Sequence, residues 1–319
     1  MNQKKVIFDH DGGVDDLLSL VLLLSMENID LLGVTVTPAD CFLEDATEAT
    51  LKILTLFNRQ DVSVAKGQLF GVNPFPYDWR AQPKIINALP TLLAVELDEK
   101  PLLKTSAVEY MIHTLEASKD KITVLMTGPC SNLTEALKQR PDLVEKVEEV
   151  IWMGGAVNVP GNVAMHNHDG SAEWNVFWDP YAADDMFKMG LNIKLVSLDA
   201  TNCLPISIPF LKQIAAQRAY PLSEFFGQCW ASTVPSIPSY EFTYHLWDIM
   251  ATSCLEVGDD AIQFKKMELA VGTKQPNQGQ TYHAKGNNQW VNVSVSANRD
   301  VMLDYLLKKL KRGFPKQNG

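Results

Sequence analysis

The chain is poor in the residues that build disulfide frameworks and zinc sites. Its 319 residues include five cysteines, Cys41, Cys130, Cys203, Cys229 and Cys254, widely spaced, odd in number and without a C-x-x-C pair. Neither kind of site is expected, and a reducing cytoplasm is the natural setting. Positive charge is also in deficit, the formal net charge being −10. That balance argues against nucleic acid or an anionic membrane as the main partner. Long apolar runs are missing: Leu20–Leu24 with its neighbours falls well short of the ~18 residues of a membrane span. Met1–Lys5 leads straight into a strand-like stretch, so no secretion signal is expected. No G-x-x-x-x-G-K-[ST] or G-x-G-x-x-G follows a strand-like segment, which removes P-loop and dinucleotide readings.

What the chain does have is acid in one place. Asp9-His10-Asp11-Gly12-Gly13-Val14-Asp15-Asp16 follows directly on the apolar run Val6-Ile7-Phe8. Four carboxylates at a strand end repel one another, and burial pushes such groups toward protonation. A hard divalent cation such as Ca²⁺ or Mg²⁺ removes the conflict, because it takes several oxygen ligands at one point. The glycines let the backbone turn so that Asp11 and Asp15/Asp16 converge. Leu17–Leu24 reads as a buried helix with Asp15 and Asp16 in its first turn, where the helix dipole favours negative charge. An acidic capping loop is the plainer alternative, but capping needs one carboxylate and not four.

Short strand-like segments alternate with helical ones over the first 200 residues. Lys5–Asp9, Ile29–Val36, Val62–Ala65, Ile122–Met126, Val147–Met153 and Ile193–Leu198 read as strands. Asp15–Ser25, Phe42–Phe57, Thr105–Ala117, Asn132–Lys138 and Tyr181–Met189 read as helices between them. The alternation predicts an α/β fold with a mostly parallel sheet covered on both faces. Ligands then bind at the carboxyl ends of the strands, where Asp11, Asp40, Thr127 and Gly154 fall. The C-terminal third adds helical segments at Ile208–Ala219, Pro221–Trp230 and near Tyr240–Val257. Strands are expected at Phe264–Val271 and Gln289–Ser294, and a closing helix at Val301–Lys311. No repeat or Ser/Gly-rich linker is visible, so a single domain over 1–319 is expected. Two stretches, Gln68–Lys84 and Val157–Asp179, are too long for ordinary connections and read as ordered, ligand-facing loops.

Asp9-x-Asp11-x-Gly13-x-Asp15-Asp16 resembles the N-terminal signature of the nucleoside hydrolases. Five further segments match in order: Thr37-Pro38-Ala39-Asp40, Met126-Thr127-Gly128-Pro129, Met153-Gly154-Gly155-Ala156, Ala172-Glu173-Trp174-Asn175 with Trp178-Asp179-Pro180, and Trp247-Asp248. Each is weak alone; together, spanning residues 5 to about 280, they are specific. The resemblance is closest to the purine-preferring, inosine–adenosine–guanosine type. It rests there on Asn73-Pro74-Phe75-Pro76-Tyr77-Asp78-Trp79-Arg80, Trp247 and Lys274-Gln275-Pro276-Asn277.

The resemblance implies a Rossmann-like nucleoside hydrolase fold and hydrolysis of the N-glycosidic bond of purine ribonucleosides. It implies Ca²⁺ held by Asp11, Asp16, the Thr127 carbonyl and Asp248, with water and the ribose 2′- and 3′-hydroxyls completing the shell. Asp11 would be general base on a calcium-bound water, by way of an oxocarbenium-like transition state. Asp15, Asn162, Glu173 and Asn175 would recognise ribose, and Asp9 would orient the ligands without touching the metal. Trp79 and Trp247 match base-stacking positions, Asp40 a base-contacting carboxylate, and Asp78 joins the substrate-binding set. Trp174 and Trp178 are expected as core packing, Trp152 as a buried strand residue. A homodimer, with a homotetramer as the alternative, also follows from the resemblance.

The sequence departs from the family pattern at two points. Broad-specificity and pyrimidine-preferring members carry a histidine acid immediately before the late aspartate, where this chain has Trp247. His245 would share a helix face with Asp248 if the helix is regular there, and His166 and His168 lie in the second long loop. Gly13 stands where the purine-preferring type has asparagine, so one hydrogen bond to ribose is missing. Two rivals remain. Asp9-His10-Asp11-Gly12 and Gly258-Asp259-Asp260 imitate a haloacid-dehalogenase-like phosphatase, although Gly13 replaces the usual hydroxyl residue and the late motif follows a helix. A calcium-dependent sugar-binding protein could use the same carboxylates and tryptophans without turnover.

Overall fold

The computed structural model describes residues 3–236 and 243–316. Its ten strands are β1 (Lys4–His10), β2 (Ile29–Val36), β3 (Ser63–Lys66), β4 (Leu102–Ser106), β5 (Ile122–Met126), β6 (Val147–Met153), β7 (Ile193–Val196), β8 (Ile262–Val271), β9 (Thr281–His283) and β10 (Trp290–Ala297). They form one sheet in the order β4-β3-β2-β1-β5-β6-β7-β10-β8-β9. From β4 to β10 neighbours run parallel, and β8 and β9 add two antiparallel pairings.

Parallel strands are buried on both faces, which is why they read as unbroken apolar runs. β1 shows the division of labour: Val6 and Phe8 enter one core while Ile7 enters the other. The first core takes the helices Val14–Leu24 and Leu43–Leu56; the second takes Ala107–Ala117, Ser131–Gln139 and Pro180–Lys188. Val14–Leu24 is apolar nearly all round because it lies inside the molecule, packed against the helix Trp247–Ser253. Each of its fully buried leucines contributes about 2 kcal/mol. Among the described residues no helix is long and apolar enough to cross a membrane.

Several sequence expectations need correction. The edge strand β4 was not expected, since it is half exposed and lacks an apolar run. The following helix starts at Ala107 and not Thr105, because Ser106 caps it with Oγ accepting the Glu109 N–H. The short β9 was also unforeseen. The helix expected near Tyr240–Val257 spans only Trp247–Ser253. Ahead of it Tyr244 and Leu246 pair with the chain at 204–206: Ile206 N donates to Tyr244 O at 2.8 Å, and Leu246 N to Leu204 O at 3.0 Å. Residues 240–242 of that expectation lie outside the described residues.

The sheet order also locates the site. The chain builds outward from β1 through β2 and β3 to β4, then returns to the other side of β1 with β5, β6 and β7. Where the order reverses, the loops after β1 and β5 diverge and leave a crevice at their carboxyl ends.

Candidate active site

β1 delivers Asp11 to that crevice. Gly12 follows at φ +90°, and a Cβ there would stand 2.4 Å from the Ala46 Cβ, so both conformation and space call for glycine. Gly13 opens the helix Val14–Leu24, its N–H donating to Asp16 Oδ2 at 2.8 Å. Asp11 Oδ2 accepts the Asp40 N–H at 3.0 Å from the loop after β2. Thr127, after β5, hydrogen-bonds through Oγ1 to Asp16 Oδ1. Its carbonyl accepts Asn175 Nδ2 at 2.7 Å. Asp248 enters in the first turn of the helix Trp247–Ser253.

One cleft of about 740 Å³, its open mouth included, gathers Asp11, Asp16, Asp40, Thr127 and Asp248 with Asn162, Glu173 and Asn175. Glu173 caps the helix Trp174–Trp178, its carboxylate accepting the N–H groups of Asn175, Gly155 and Val176. Asn175 gives Nδ2 to the carbonyls of Thr127 and Met153, so Oδ1 is the end it can offer a ligand. Asn162 Oδ1 is buried without a hydrogen-bond partner among the described residues.

The other lining groups are largely aromatic: Phe75, Trp79, Trp174, Tyr244 and Trp247. Trp174 stacks on Phe75 at 5.3 Å and meets Trp79 edge-on at 5.2 Å. Tyr244 lies 4.7 Å from the Trp247 ring. Trp174 is therefore more than core packing: it is buried and also forms cleft wall. Trp178 and Trp152 are buried, the latter donating Nε1–H to Gly128 O at 2.9 Å.

Burial and mutual repulsion shape the acids. Asp11 and Asp248 are pushed well above the usual carboxylate range, first by burial and then by the charge of Asp16. Burial likewise raises Asp16, and takes Asp15, Asp40 and Glu173 to about 7. Asp11 and Asp16 are close enough for the charge of Asp16 to act strongly on Asp11. Among the described residues neither they nor Asp248 forms an ion pair with a cationic side chain. Converging hard oxygens with no counter-charge fit a divalent cation. Among the described residues no three or more His, Cys, Asp or Glu side chains already form a metal-holding group. The acids therefore offer an open, partial shell to be completed by a carbonyl, water and ligand oxygens.

Two residues expected to bind substrate, Asp15 and Asp78, stand elsewhere, while Asp9 was not expected to touch the metal. Asp15 is buried but does not line the cleft; its Oδ2 accepts the N–H groups of Asp248 and Ile249. Asp9 lies behind the cleft, held by Thr35, Thr37 and Asn132. Asp78 is exposed and not among the lining residues. No histidine lines the cleft among the described residues. His166 is exposed. His168 accepts the Gly170 N–H at Nδ1, which makes Nε2 the donor to Gln278 O at 2.8 Å. His245 precedes the helix, so it shares no helix face with Asp248; its half-buried ring lies 5.6 Å from Trp247. Sequence reasoning missed Gln82, Met153, Trp174 and Tyr244 as lining residues. Gln82 and Tyr244 carry a faint signal, each lying three residues from a matched tryptophan. Asp259 and Asp260, the phosphatase-like pair, do not reach the cleft.

Comparison with known proteins bears on the family and the fold. The family model for inosine-uridine preferring nucleoside hydrolases matches residues 6–304. A crystal structure of an inosine-uridine preferring nucleoside hydrolase from Bacillus anthracis superposes with a TM-score of 0.88 at 38% identity, over 97% of this chain and 99% of that one. A purine-preferring ribonucleoside hydrolase from Gardnerella vaginalis shares the fold with a TM-score of 0.77 at 23% identity, over 97% and 98% of the two chains. A pyrimidine-specific ribonucleoside hydrolase from Salmonella newport is 26% identical over 96% of this chain and 98% of its own. The chain belongs to the inosine-uridine preferring nucleoside hydrolase family.

Proposed function

We propose that the protein is a Ca²⁺-dependent purine ribonucleoside hydrolase, releasing free base and ribose from nucleosides such as inosine, adenosine and guanosine. The observation that carries this reading is one cleft joining convergent oxygen donors to five aromatic side chains, with no histidine on its lining among the described residues. Asp11, Asp16, Asp248 and the Thr127 carbonyl would hold a calcium ion, which would attract the ribose diol and acidify water. Asp11 takes a proton from the attacking water. The C1′–N bond breaks with its electron pair on the base, water oxygen bonds to C1′, and the released proton balances the free base. Asn162, Glu173 and Asn175 pair with ribose hydroxyls. Trp79 and Trp247 hold the base, where stacking on a protonated ring is worth about 2 kcal/mol once desolvated. We place this activity in a cytoplasmic homodimer.

A pyrimidine-accepting reading rests on a separate observation. His245 Nδ1 is buried without a hydrogen-bond partner among the described residues, and the ring sits beside Trp247. The pyrimidine-specific relative from Salmonella newport points the same way.

Hydrolysis of inosine and uridine side by side, with and without a calcium chelator, tests the proposal. Chelator-sensitive cleavage of inosine with little cleavage of uridine supports it. Equal rates favour the histidine route. Binding of inosine without release of base would mean a sugar-binding protein.

A further inference from the structure

Gln82 begins the helix Gln82–Ala88, three residues beyond Trp79, and lines the cleft. Its Oε1 accepts the Val14 N–H at 3.1 Å. A backbone N–H can only donate, so this bond fixes which end of the amide faces Val14. The Nε2 hydrogens have no protein partner among the described residues. Gly13 adjoins the amide at an ordinary contact distance, a Cβ there lying 3.7 Å from Gln82 Oε1, but that Cβ would come within 2.9 Å of Asp16 Oδ2 and 3.1 Å of Asp40 Oδ2. A larger residue at position 13 would displace these groups.

Gln82 is carried on the same chain segment as Phe75 and Trp79 of the aromatic wall, and its amide sits beside the Gly13–Val14 turn. The loop carrying it is tied to the Asp40 loop by the Phe42 N–H donating to Arg80 O at 3.0 Å, and Trp79 rests against Trp174. Asn162, Glu173 and Asn175 arise instead from the Val157–Asp179 loop. A neutral, oriented donor on the base side can act where negative charge gathers as the glycosidic bond breaks.

We propose that Gln82 Nε2 donates a hydrogen bond to an unprotonated ring nitrogen of the departing purine, stabilising the electron pair the base takes from the broken bond without transferring a proton. The assignment rests on the purine reading above. It gives a leaving-group contact to a cleft whose lining carries no histidine among the described residues.

Gln82→Glu keeps an oxygen for the Val14 N–H but removes the donor; Gln82→Met removes both ends of the amide. Each is assayed on inosine and on p-nitrophenyl β-D-ribofuranoside, whose leaving group has no ring nitrogen and departs without help. Both variants are expected to lose kcat on inosine by on the order of 10²-fold, by analogy with removal of a preorganised donor, and to keep kcat on the phenyl riboside. The loss should not vary with pH in Gln82→Met, because an amide does not titrate. Equal losses on both substrates would make Gln82 a structural residue and overturn the assignment, as would full activity on both. A wild-type protein that cleaves the phenyl riboside but not inosine would overturn the purine reading, and this contact with it.

Discussion

Asp15 Oδ2 accepts the backbone N–H of Asp248 at 2.6 Å, joining residues 233 positions apart. The first helix of the chain thereby sets the start of the helix that presents Asp248, and the same oxygen takes the Ile249 N–H at 3.3 Å. Asp15→Ala should lower stability by about 1 kcal/mol through the lost cap and weaken calcium binding. Asp15→Asn, which retains an oxygen, should do less of both. Thermal melts and calorimetric calcium titration check this; an unchanged melt and unchanged calcium affinity in Asp15→Ala would overturn the capping role.

Asp11→Asn keeps the shape of the side chain and removes its ability to take a proton. Its kcat on inosine should fall by about 10³-fold, within the range of general base catalysis. Steady-state kinetics at saturating calcium separate this from weakened metal binding.

Acid placement also gives the metal-free protein an unusual pH response. Asp9, Asp15, Asp40 and Glu173 are each raised to about 7, with burial as the largest cause. Their folded values exceed the unfolded ones, so the folded state holds protons longer. Stability should therefore decline as pH climbs from the ordinary carboxylate range toward about 7, and level off above it. Denaturant titrations with chelator at about pH 5 and about pH 8 should show the more alkaline sample to be weaker. Calcium should relieve much of the difference by favouring the charged acids.

Sugar selectivity follows from polar groups that need a partner. Asn162 Oδ1 is buried without a hydrogen-bond partner among the described residues, and Asp11, Asp16 and Asp248 line the same cleft. A site that hydrogen-bonds a hydroxyl rejects the analogue without it by ~10⁴-fold. Inosine should thus be cleaved far faster than 2′- or 3′-deoxyinosine; comparable kcat/KM values would contradict recognition through the diol.

Gly12→Ala should destabilise the fold by about 3 kcal/mol, since φ is +90° and the new methyl group would meet Ala46 at 2.4 Å. A melt of the variant measures the loss directly.

Much of the frame was readable because burial on two faces leaves a plain mark. β2, β5 and β6 have the bounds expected from their apolar runs. β4 left no such mark, being a half-exposed edge. The extended stretch before Trp247 misled for another reason: its pairing partners lie at 204–206, beyond any local pattern. In the site, Asp11 and Asp16 were legible because charge is dense at a strand end. Gln82 and Tyr244 left only the faint mark of lying three residues from a matched tryptophan, since an isolated amide or phenol brings no density of charge with it. Trp174 was misjudged because one indole can pack on a core and face a ligand at once.

The reversal of strand order beside β1 separates two kinds of inheritance. Asp11, Asp16 and Thr127 follow the central strands β1 and β5 at their carboxyl ends, which the two cores hold in place. Phe75, Trp79 and Gln82 hang on one excursion between β3 and β4, outside the sheet. Remodelling that excursion would therefore change one wall of the base pocket while leaving the acids, and Trp247 beside Asp248 on the opposite segment, on their own supports.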